Sequence, residues 1–284
     1  EITVGRQRVP WGVGRLWNPI DRFNAIGPLA VEADQSQGVD AIKARWMFSG
    51  FTYLEGVYAA GAHSEDRAVA ARLAGLLWDV DYSLVAGVFE EALTLGFDLA
   101  ANLGDAAGRL EVVWTSPERR VRPLGNAKAR ELPSYWQIVV SADYNVDVGT
   151  GIYLLAEHLY NGNALGFGRG KAGALVNFFE EQDSSIGPVA VPGSTDLFGH
   201  SRVITQAEHL TGAQLGYDLT TDLRGDVLVL YDWRGGSVSV FPSVRYSPTG
   251  WLELTLGLQL FEGPRRSEFG QGETLGFAQA EVFF

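Results

Sequence analysis

The chain has 284 residues, no cysteine, 35 glycines and a formal net charge of −12. The lack of cysteine excludes disulfides, cysteine-ligated zinc and thiol catalysis, and the negative charge argues against nucleic acid as a partner, because nucleic-acid binders need a basic surface. The most apolar stretch, Leu73–Phe89, is interrupted by Asp79 and Asp81 and falls short of the roughly 18 uncharged apolar residues of a transmembrane helix.

Alternating apolar and polar residues recur along the whole chain. Successive side chains of a strand point to opposite faces, so this period of two predicts strands with one apolar face. We predict about fourteen strands, within a range of about 12 to 16. In chain order they are Ile2–Arg8, Ala41–Ser49, Phe51–Ala62, Ala68–Trp78, Val80–Glu90, Leu93–Leu103, Gly108–Thr115, Tyr135–Asn145, Thr150–Tyr160, Ser201–Thr220, Asp226–Trp233, Ser237–Tyr246, Trp251–Phe261 and Thr274–Phe284.

The two final strands show the pattern most clearly. Every even position from Leu252 to Leu260 is leucine, and the odd positions between them are Glu253, Thr255, Gly257 and Gln259. A face made only of leucine can belong to a soluble sandwich or to a membrane barrel, and these residues alone do not separate the two.

The lengths of the connections favour a barrel. Numbered along the chain, the even connections are all short, and every long connection is odd-numbered: Val9–Asp40, Ser116–Ser134, Asn161–His200 and Glu262–Glu273. Outer-membrane barrels have short periplasmic turns and longer extracellular loops, which produces this segregation. An even strand number also allows the first strand to pair antiparallel with the last, which removes both edges.

Aromatic residues fall near both predicted ends of the strands, as expected for two interfacial girdles. At the end with short turns they are Trp78, Tyr144, Tyr246 and Trp251, and at the other end Trp114, Tyr135, Trp136, Tyr231 and Trp233.

Charged residues mostly share the face opposite to the apolar one. If the apolar face meets lipid, these residues face a wet lumen: Arg6, Lys43, Arg45, Glu55, Arg72, Asp98, Glu111, Asp143, Glu157, Glu208, Asp218, Arg245, Glu253 and Glu281. Opposing charges there can either set a weak ion selectivity or merely pair with each other. Three residues do not fit: Asp226 and Asp232 share a face with Leu228 and Leu230, and His158 shares one with Ile152 and Leu154.

The predicted fold class is therefore all-β: a transmembrane antiparallel up-and-down β-barrel formed by one domain, residues 1–284. We predict no cofactor and no metal site.

In these features the chain resembles a Gram-negative outer-membrane β-barrel of the porin type. Its C-terminal residues Phe284, Val282 and Ala280 resemble the signal that the barrel-assembly machinery reads in that class. The segment Val4–Gly12, with Asn18-Pro19 and Asp21 after it, is similar to a pattern in porin-like and alginate-export-like families. The resemblance implies a place in the bacterial outer membrane, in contact with the lipid bilayer and lipopolysaccharide. Chains in those families are often longer, so strands before Glu1 are an expectation.

The expected function is passive diffusion of small hydrophilic solutes or ions, without a chemical step. Within the longest loop the run 174–179 is apolar, and a fold of this loop into the pore would place Leu175, Phe178, Phe179, Glu180 and Glu181 at a constriction. Packing of that loop on its neighbours is the alternative. A barrel that serves as anchor or sleeve for a partner protein is the second hypothesis.

An outer-membrane hydrolase is the third hypothesis, since such enzymes need a hydroxyl, a base and an orienting group. None of the four histidines, His63, His158, His200 and His209, lies in a glycine-flanked serine motif. The acids Glu180, Glu181, Asp183 and Asp196 could gather calcium, but their spacing matches no calcium loop. The glycines from 166 to 173 lack the strand and helix that a phosphate loop requires.

Overall fold

The structure is a computed structural model. It describes residues 1–23, 38–60, 67–89, 92–117, 120–121, 130–131, 134–164, 205, 207–265, 267–270 and 272–283. The fold of these residues is all-β. The strands are β1 Ile2–Gln7, β2 Val39–Met47, β3 Tyr53–Ala59, β4 Ala68–Leu77, β5 Val80–Phe89, β6 Ala92–Leu103, β7 Ala106–Pro117, β8 Arg120–Val121, β9 Arg130–Glu131, β10 Tyr135–Val146, β11 Ile152–Asn161, β12 His209–Asp218, β13 Leu223–Asp232, β14 Ser237–Thr249, β15 Leu252–Glu262 and β16 Leu275–Val282.

Fourteen of the strands form one sheet in chain order, and β8 and β9 form a separate two-stranded ladder. Every neighbouring pair in the large sheet is antiparallel. The predicted antiparallel up-and-down arrangement of about fourteen strands is therefore confirmed. The expected pairing of the first strand with the last is absent from the described residues, because β1 and β16 each have a single neighbour.

The connections of the sheet segregate by length. In an up-and-down sheet alternate connections lie at the same end, so the long connections that follow β1, β7, β11 and β15 share one end, here called the loop end. Every connection at the opposite end, called the turn end, is short. One of them is the two-residue turn Trp78–Asp79, in which both residues have positive φ, 51° and 63°, as the tight turns that match strand twist require.

The two faces of the sheet differ in chemistry. Directly paired residues of neighbouring strands share a face, so the pairing assigns every strand residue to one side. One side, the apolar face, carries exposed residues on every part of the sheet, such as Ile42, Leu84, Val140, Leu215 and Leu256. The other side, the packed face, carries most of the charged residues and is covered by residues 9–23.

Three assignments made from the sequence are wrong in detail. The strand predicted at Ser201–Thr220 begins only at His209, and Ala207 before it is buried against the packed face. Tyr135 lies on the packed face and is 6% exposed, so it is not a girdle residue. On β13, Leu228 and Leu230 are buried on the packed face, because residues from outside the sheet cover them there.

Candidate functional site

The candidate site is the packed face together with residues 9–23, which we call the inner segment. The inner segment has no regular secondary structure. Its apolar side chains join two buried clusters, with Val9, Trp11, Ile20 and Phe23 in one and Leu16 and Trp17 in the other. Trp11 is 1% exposed and Trp17 is 3% exposed. A segment that looked like a loop in the sequence is thus part of the core.

Glu157 on β11 fixes the middle of the inner segment. Its carboxylate accepts three consecutive backbone N–H groups, from Arg15 at 2.8 Å, Leu16 at 2.9 Å and Trp17 at 2.6 Å. The glutamate is 1% exposed. Hydrogen bonds to an ionised acceptor in a dry environment are about twice as strong as neutral ones, so this contact holds a backbone that no strand or helix would otherwise satisfy.

Glu111 on β7 accepts backbone N–H groups on both sides of residues 15–17. One carboxylate oxygen accepts the N–H groups of Val13 and Gly14, and the other accepts the N–H of Ile20 at 3.2 Å. Glu111 is fully buried. The two glutamates together satisfy six backbone donors of one short segment.

Glu55 on β3 binds the start of the inner segment through a side chain. Its carboxylate accepts the indole N–H of Trp11 at 2.7 Å and pairs with the Arg45 guanidinium at 2.6 Å. Glu55 is 3% exposed on its side chain. This is a buried charge whose partners are all present, the condition under which such a charge is tolerated.

These contacts join distant strands of the sheet. Glu55 and Glu157 stand on strands that are six steps apart in the sheet, which is about 29 Å along a flat surface at about 4.8 Å per step. The inner segment bonds Glu55 through Trp11 and Glu157 through Arg15. It therefore ties one half of the sheet to the other.

Two glycines make the tight shape of the inner segment possible. Gly12 has a φ of +85°, and a Cβ there would lie 2.0 Å from the Asn18 Oδ1 atom and 2.6 Å from the Glu111 Oε1 atom. A Cβ at Gly14 would lie 1.9 Å from the Trp17 carbonyl oxygen. Asn18 closes the turn by donating to the Trp11 carbonyl oxygen at 2.9 Å. Only glycine fits both positions.

A second stretch covers the packed face at the loop end. Phe269 is buried in the cluster that contains Leu228 and Leu230, and its N–H donates to the Ser237 hydroxyl at 3.1 Å. Asp232, which is 2% exposed, accepts the N–H of Glu268 at 3.2 Å. The connection after β15 is therefore folded inward over β13 and β14.

Several charged side chains on the rest of the packed face pair with near neighbours. Arg109 pairs with Asp143 across adjacent strands, Arg224 pairs with Asp226 at 2.9 Å, and Arg245 pairs with Glu253 at 3.2 Å. The expected pairing of lumen charges is seen for these residues, and the expected ion selectivity, which can hold beside it, stays a prediction. Such neighbour pairs do not separate acidic from basic walls.

The pairing and the strand bounds locate the predicted lumen residues. On the packed face lie Lys43, Arg45, Glu55, Arg72, Asp98, Glu111, Asp143, Glu157, Asp218, Arg245, Glu253 and Glu281. Arg6 does not: it lies on the apolar face beside Val4 and Ile42, where it pairs with Asp40 at 2.8 Å. Glu208 precedes β12 and pairs with Arg234.

Other predicted residues fall in two groups. Ala280 and Val282 lie on the apolar face of β16, in line with the leucines of β15. Outside the described residues lie Phe284 and the predicted constriction residues Leu175, Phe178, Phe179, Glu180 and Glu181. The covering of the packed face that can be described comes instead from the inner segment.

Two histidines meet on the apolar face near the loop end. His158 Nε2 lies 3.2 Å from His209 Nδ1, and His158 Nδ1 lies 2.8 Å from the Thr211 hydroxyl. The indole N–H of Trp233 donates to the same hydroxyl at 2.7 Å. A donor on the hydroxyl oxygen lowers its nucleophilicity, so this geometry does not favour the activated nucleophile of a hydrolase. His63 and His200 lie outside the described residues.

Reading the sequence alone missed the inner segment and the role of its glutamates. A signal was present: Trp11, Ile20 and Phe23 are large apolar residues in a stretch interpreted as a connection. Side chains of this kind rarely all remain in water.

No protein-family model matches the chain, and no curated protein is significantly similar to it. Within the described part of the chain there is no helix long and apolar enough to cross a membrane.

Proposed function

We propose that this chain is an outer-membrane β-barrel of the porin type that lets small hydrophilic solutes cross passively, with the inner segment narrowing its lumen. The observation that carries the proposal is the contrast between the two faces. The apolar face is bare in the described residues, whereas charged side chains and buried carboxylates occupy the packed face. Apolar side chains outside and charged side chains inside are the reverse of the arrangement in a soluble protein, and contact with lipid favours this reversed arrangement.

The exposed leucines of β15 are the clearest case. Leu256 is 62% exposed and Leu258 is 47% exposed, with no second sheet over them among the described strands. In water such a face would be a large aggregation surface. Aromatic residues at its two ends, among them Trp251 at the turn end and Trp233 at the loop end, are 55% and 62% exposed, as headgroup contacts would require.

Barrel closure is part of the proposal. Backbone groups that face lipid must all be paired, and β1 and β16 each have one open edge. The two strands run in opposite directions, because β1 runs towards the loop end and β16 runs away from it. Antiparallel pairing of these edges would close the sheet.

Fourteen strands leave room for a passage. Eight strands enclose only their own side chains, whereas barrels of about 16 strands enclose a water channel. A 14-stranded barrel lies near the second limit, and a part of its interior would be taken by the inner segment.

Conductance is the direct test. Purified protein in a planar lipid bilayer should give discrete, ohmic current steps, and preparations that stay silent at all voltages would contradict the channel. The sleeve or anchor for a partner protein is the second candidate. It is favoured by the inner segment, whose two clusters reach from β2 to β13 on the packed face, and silent bilayers would support it.

Closure can be tested separately by disulfide crosslinking, because no native cysteine can compete with the introduced ones. Val4→Cys on the apolar face of β1 is combined in turn with Ala278→Cys, Ala280→Cys and Val282→Cys on the apolar face of β16. Cysteines that face each other across a strand pair lie close enough for a disulfide, so one combination should crosslink in membranes. Val4→Cys with Leu258→Cys, one strand further away, is the control. A sheet that stays open gives no crosslink in any combination.

A further inference from the structure

The two histidines on the apolar face bring two ring nitrogens within reach of one ion. His158 Nε2 lies 3.2 Å from His209 Nδ1, although the residues are 51 positions apart in the chain and stand on the neighbouring strands β11 and β12. In a tetrahedral zinc site with Zn–N bonds of about 2.0–2.1 Å, two coordinated nitrogens lie about 3.3–3.4 Å apart. The spacing of the pair therefore suits two ligands of a single metal ion.

The ring of His158 is oriented by a hydrogen bond at its other nitrogen. Nδ1 lies 2.8 Å from the Thr211 hydroxyl oxygen, which also accepts the indole N–H of Trp233 at 2.7 Å. A hydroxyl oxygen has two lone pairs, so it can accept both N–H groups when His158 carries its proton on Nδ1. That tautomer leaves a lone pair on Nε2. Metal-binding histidines are typically held in this way, with the second ring nitrogen donating a hydrogen bond.

The ring of His209 is held by its aromatic neighbours. It stacks on the His158 ring with the centroids 5.5 Å apart, and its centroid lies 5.2 Å from that of the Tyr160 ring. Among the described residues only its Nδ1 atom has a hydrogen-bond partner, so Nε2 can carry the ring proton when Nδ1 binds a metal. Without metal, one of the two facing nitrogens donates a proton to the other, and a metal ion would take the place of that proton.

The pair lies where an ion from water can reach it. Both side chains are only partly buried. His209 is the first residue of β12, and His158 lies three residues before the end of β11, so the pair is at the loop end. No third histidine or acidic residue joins the pair within the described part of the chain. Two positions of a tetrahedral ion are therefore left for water.

We propose that His158 and His209 bind a divalent metal ion of the zinc class, and that Thr211 positions the His158 ring. Imidazole nitrogen suits zinc, copper and nickel, whereas magnesium and calcium prefer oxygen ligands. The ion joins β11 to β12 at the loop end. This inference does not depend on the proposed channel function. It departs from the prediction made from the sequence, which contained no metal site, because no short spacing links the two histidines.

Zinc titration of the full chain in detergent micelles tests the site. Isothermal titration calorimetry with zinc chloride should give one bound ion per chain, and His158→Gln or His209→Gln should abolish this binding, because glutamine is polar but lacks the imidazole. His63→Gln and His200→Gln are the matched controls, which remove the other two histidines and should keep it. Thr211→Val removes the hydroxyl that orients His158 and should weaken the affinity about 10-fold to 100-fold.

Copper identifies the ligands independently. Imidazole sites that take Zn²⁺ also take Cu²⁺, so the electron paramagnetic resonance spectrum of the parent with one equivalent of Cu²⁺ should show coupling to two nitrogens. His158→Gln and His209→Gln should each leave one. The urea midpoints of the parent and the two variants in EDTA verify folding, and zinc should raise only the midpoint of the parent, because an ion that binds the folded state stabilises it. If a variant does not fold, the parent spectrum alone decides.

A folded parent that binds no zinc, or zinc binding that survives in both His158→Gln and His209→Gln, would overturn the proposal and leave the pair as a hydrogen bond only. Equal loss of binding in His63→Gln or His200→Gln would overturn it as well. An unchanged affinity in Thr211→Val would overturn the positioning role. None of these results bears on conductance, so a chain that binds zinc but stays silent in bilayers would refute the channel and not the metal site.

Discussion

Replacing Glu157 by glutamine should loosen the inner segment without changing the size of the side chain. In the best orientation the amide keeps one oxygen for two N–H donors and turns its own NH₂ group towards the N–H of Arg15. A buried donor left without an acceptor costs about 1–3 kcal/mol, and the two remaining bonds weaken by about 1 kcal/mol each when their acceptor is neutral.

A glutamine is also easier to bury than a carboxylate, which offsets part of this loss. We therefore expect the free energy that holds the segment closed to fall by about 2–4 kcal/mol. At about 1.4 kcal/mol per factor of ten, this corresponds to an increase of roughly 30-fold to 1000-fold in the population of the open segment.

Hydrogen–deuterium exchange by mass spectrometry measures this population in lipid or detergent. Amides in a peptide that covers residues 13–20 should exchange faster by that factor, and amides of β11 around them should change little. Glu253→Gln is the matched control: its carboxylate lies on the same face, but its partner Arg245 has a side chain that is 52% exposed. Unchanged exchange of residues 13–20 in Glu157→Gln would refute the view that the carboxylate anchors the segment.

Three further predictions use the same contrasts. Gly12→Ala should speed hydrogen exchange of the inner segment at least as strongly as Glu157→Gln, because the added methyl group overlaps its neighbours at a position with positive φ. Gly50→Ala, which has open space around it, should leave that exchange unchanged. Equal exchange in Gly12→Ala and Gly50→Ala would contradict this. Trp11→Phe should remove the indole N–H bond and lower the free energy of unfolding by about 1–3 kcal/mol, measured by urea titration in vesicles, and an unaltered midpoint would count against it. Leu256→Lys should destabilise the membrane-folded state by about 2–4 kcal/mol, while Thr255→Lys on the packed face should be tolerated; similar urea midpoints would argue that the apolar face does not meet hydrocarbon.

Strand positions were predictable because alternation is a local property. Most predicted strands begin and end within a few residues of the observed ones, as Ala68–Trp78 and Ala68–Leu77 show. The exception, Ser201–Thr220, shows the limit of the method: alternation continued through Thr205 and Ala207, which are described residues outside the strand that begins at His209.

Assigning faces from hydropathy failed where another part of the chain covers the wall. The rule that apolar residues point outward holds for β15, but on β13 it fails, because Leu228 and Leu230 are buried beneath Leu16 and Phe269. Arg6 failed for a different reason. Its partner Asp40 stands beside it on the apolar face near the loop end, where a paired charge is tolerated more readily than at the middle of a strand.

The contacts of the inner segment could not be predicted at all. The N–H of Val13 meets a carboxylate 98 residues further along the chain, and the N–H of Leu16 meets one 141 residues further. Backbone donors carry no sequence identity, so nothing at residues 13–17 indicates which glutamate will accept their bonds. Only the apolar side chains of the stretch indicated that it is buried.

These long separations have a consequence for the order in which the protein assembles. The carboxylates that receive the inner segment stand on β3, β7 and β11, so a chain that ends before β11 can dock Trp11, Val13 and Gly14 but offers residues 15–17 no acceptor. Complete docking of the segment therefore depends on contacts of high contact order, which form late and slowly. Chains shortened before β11 should keep residues 15–17 undocked and be degraded first.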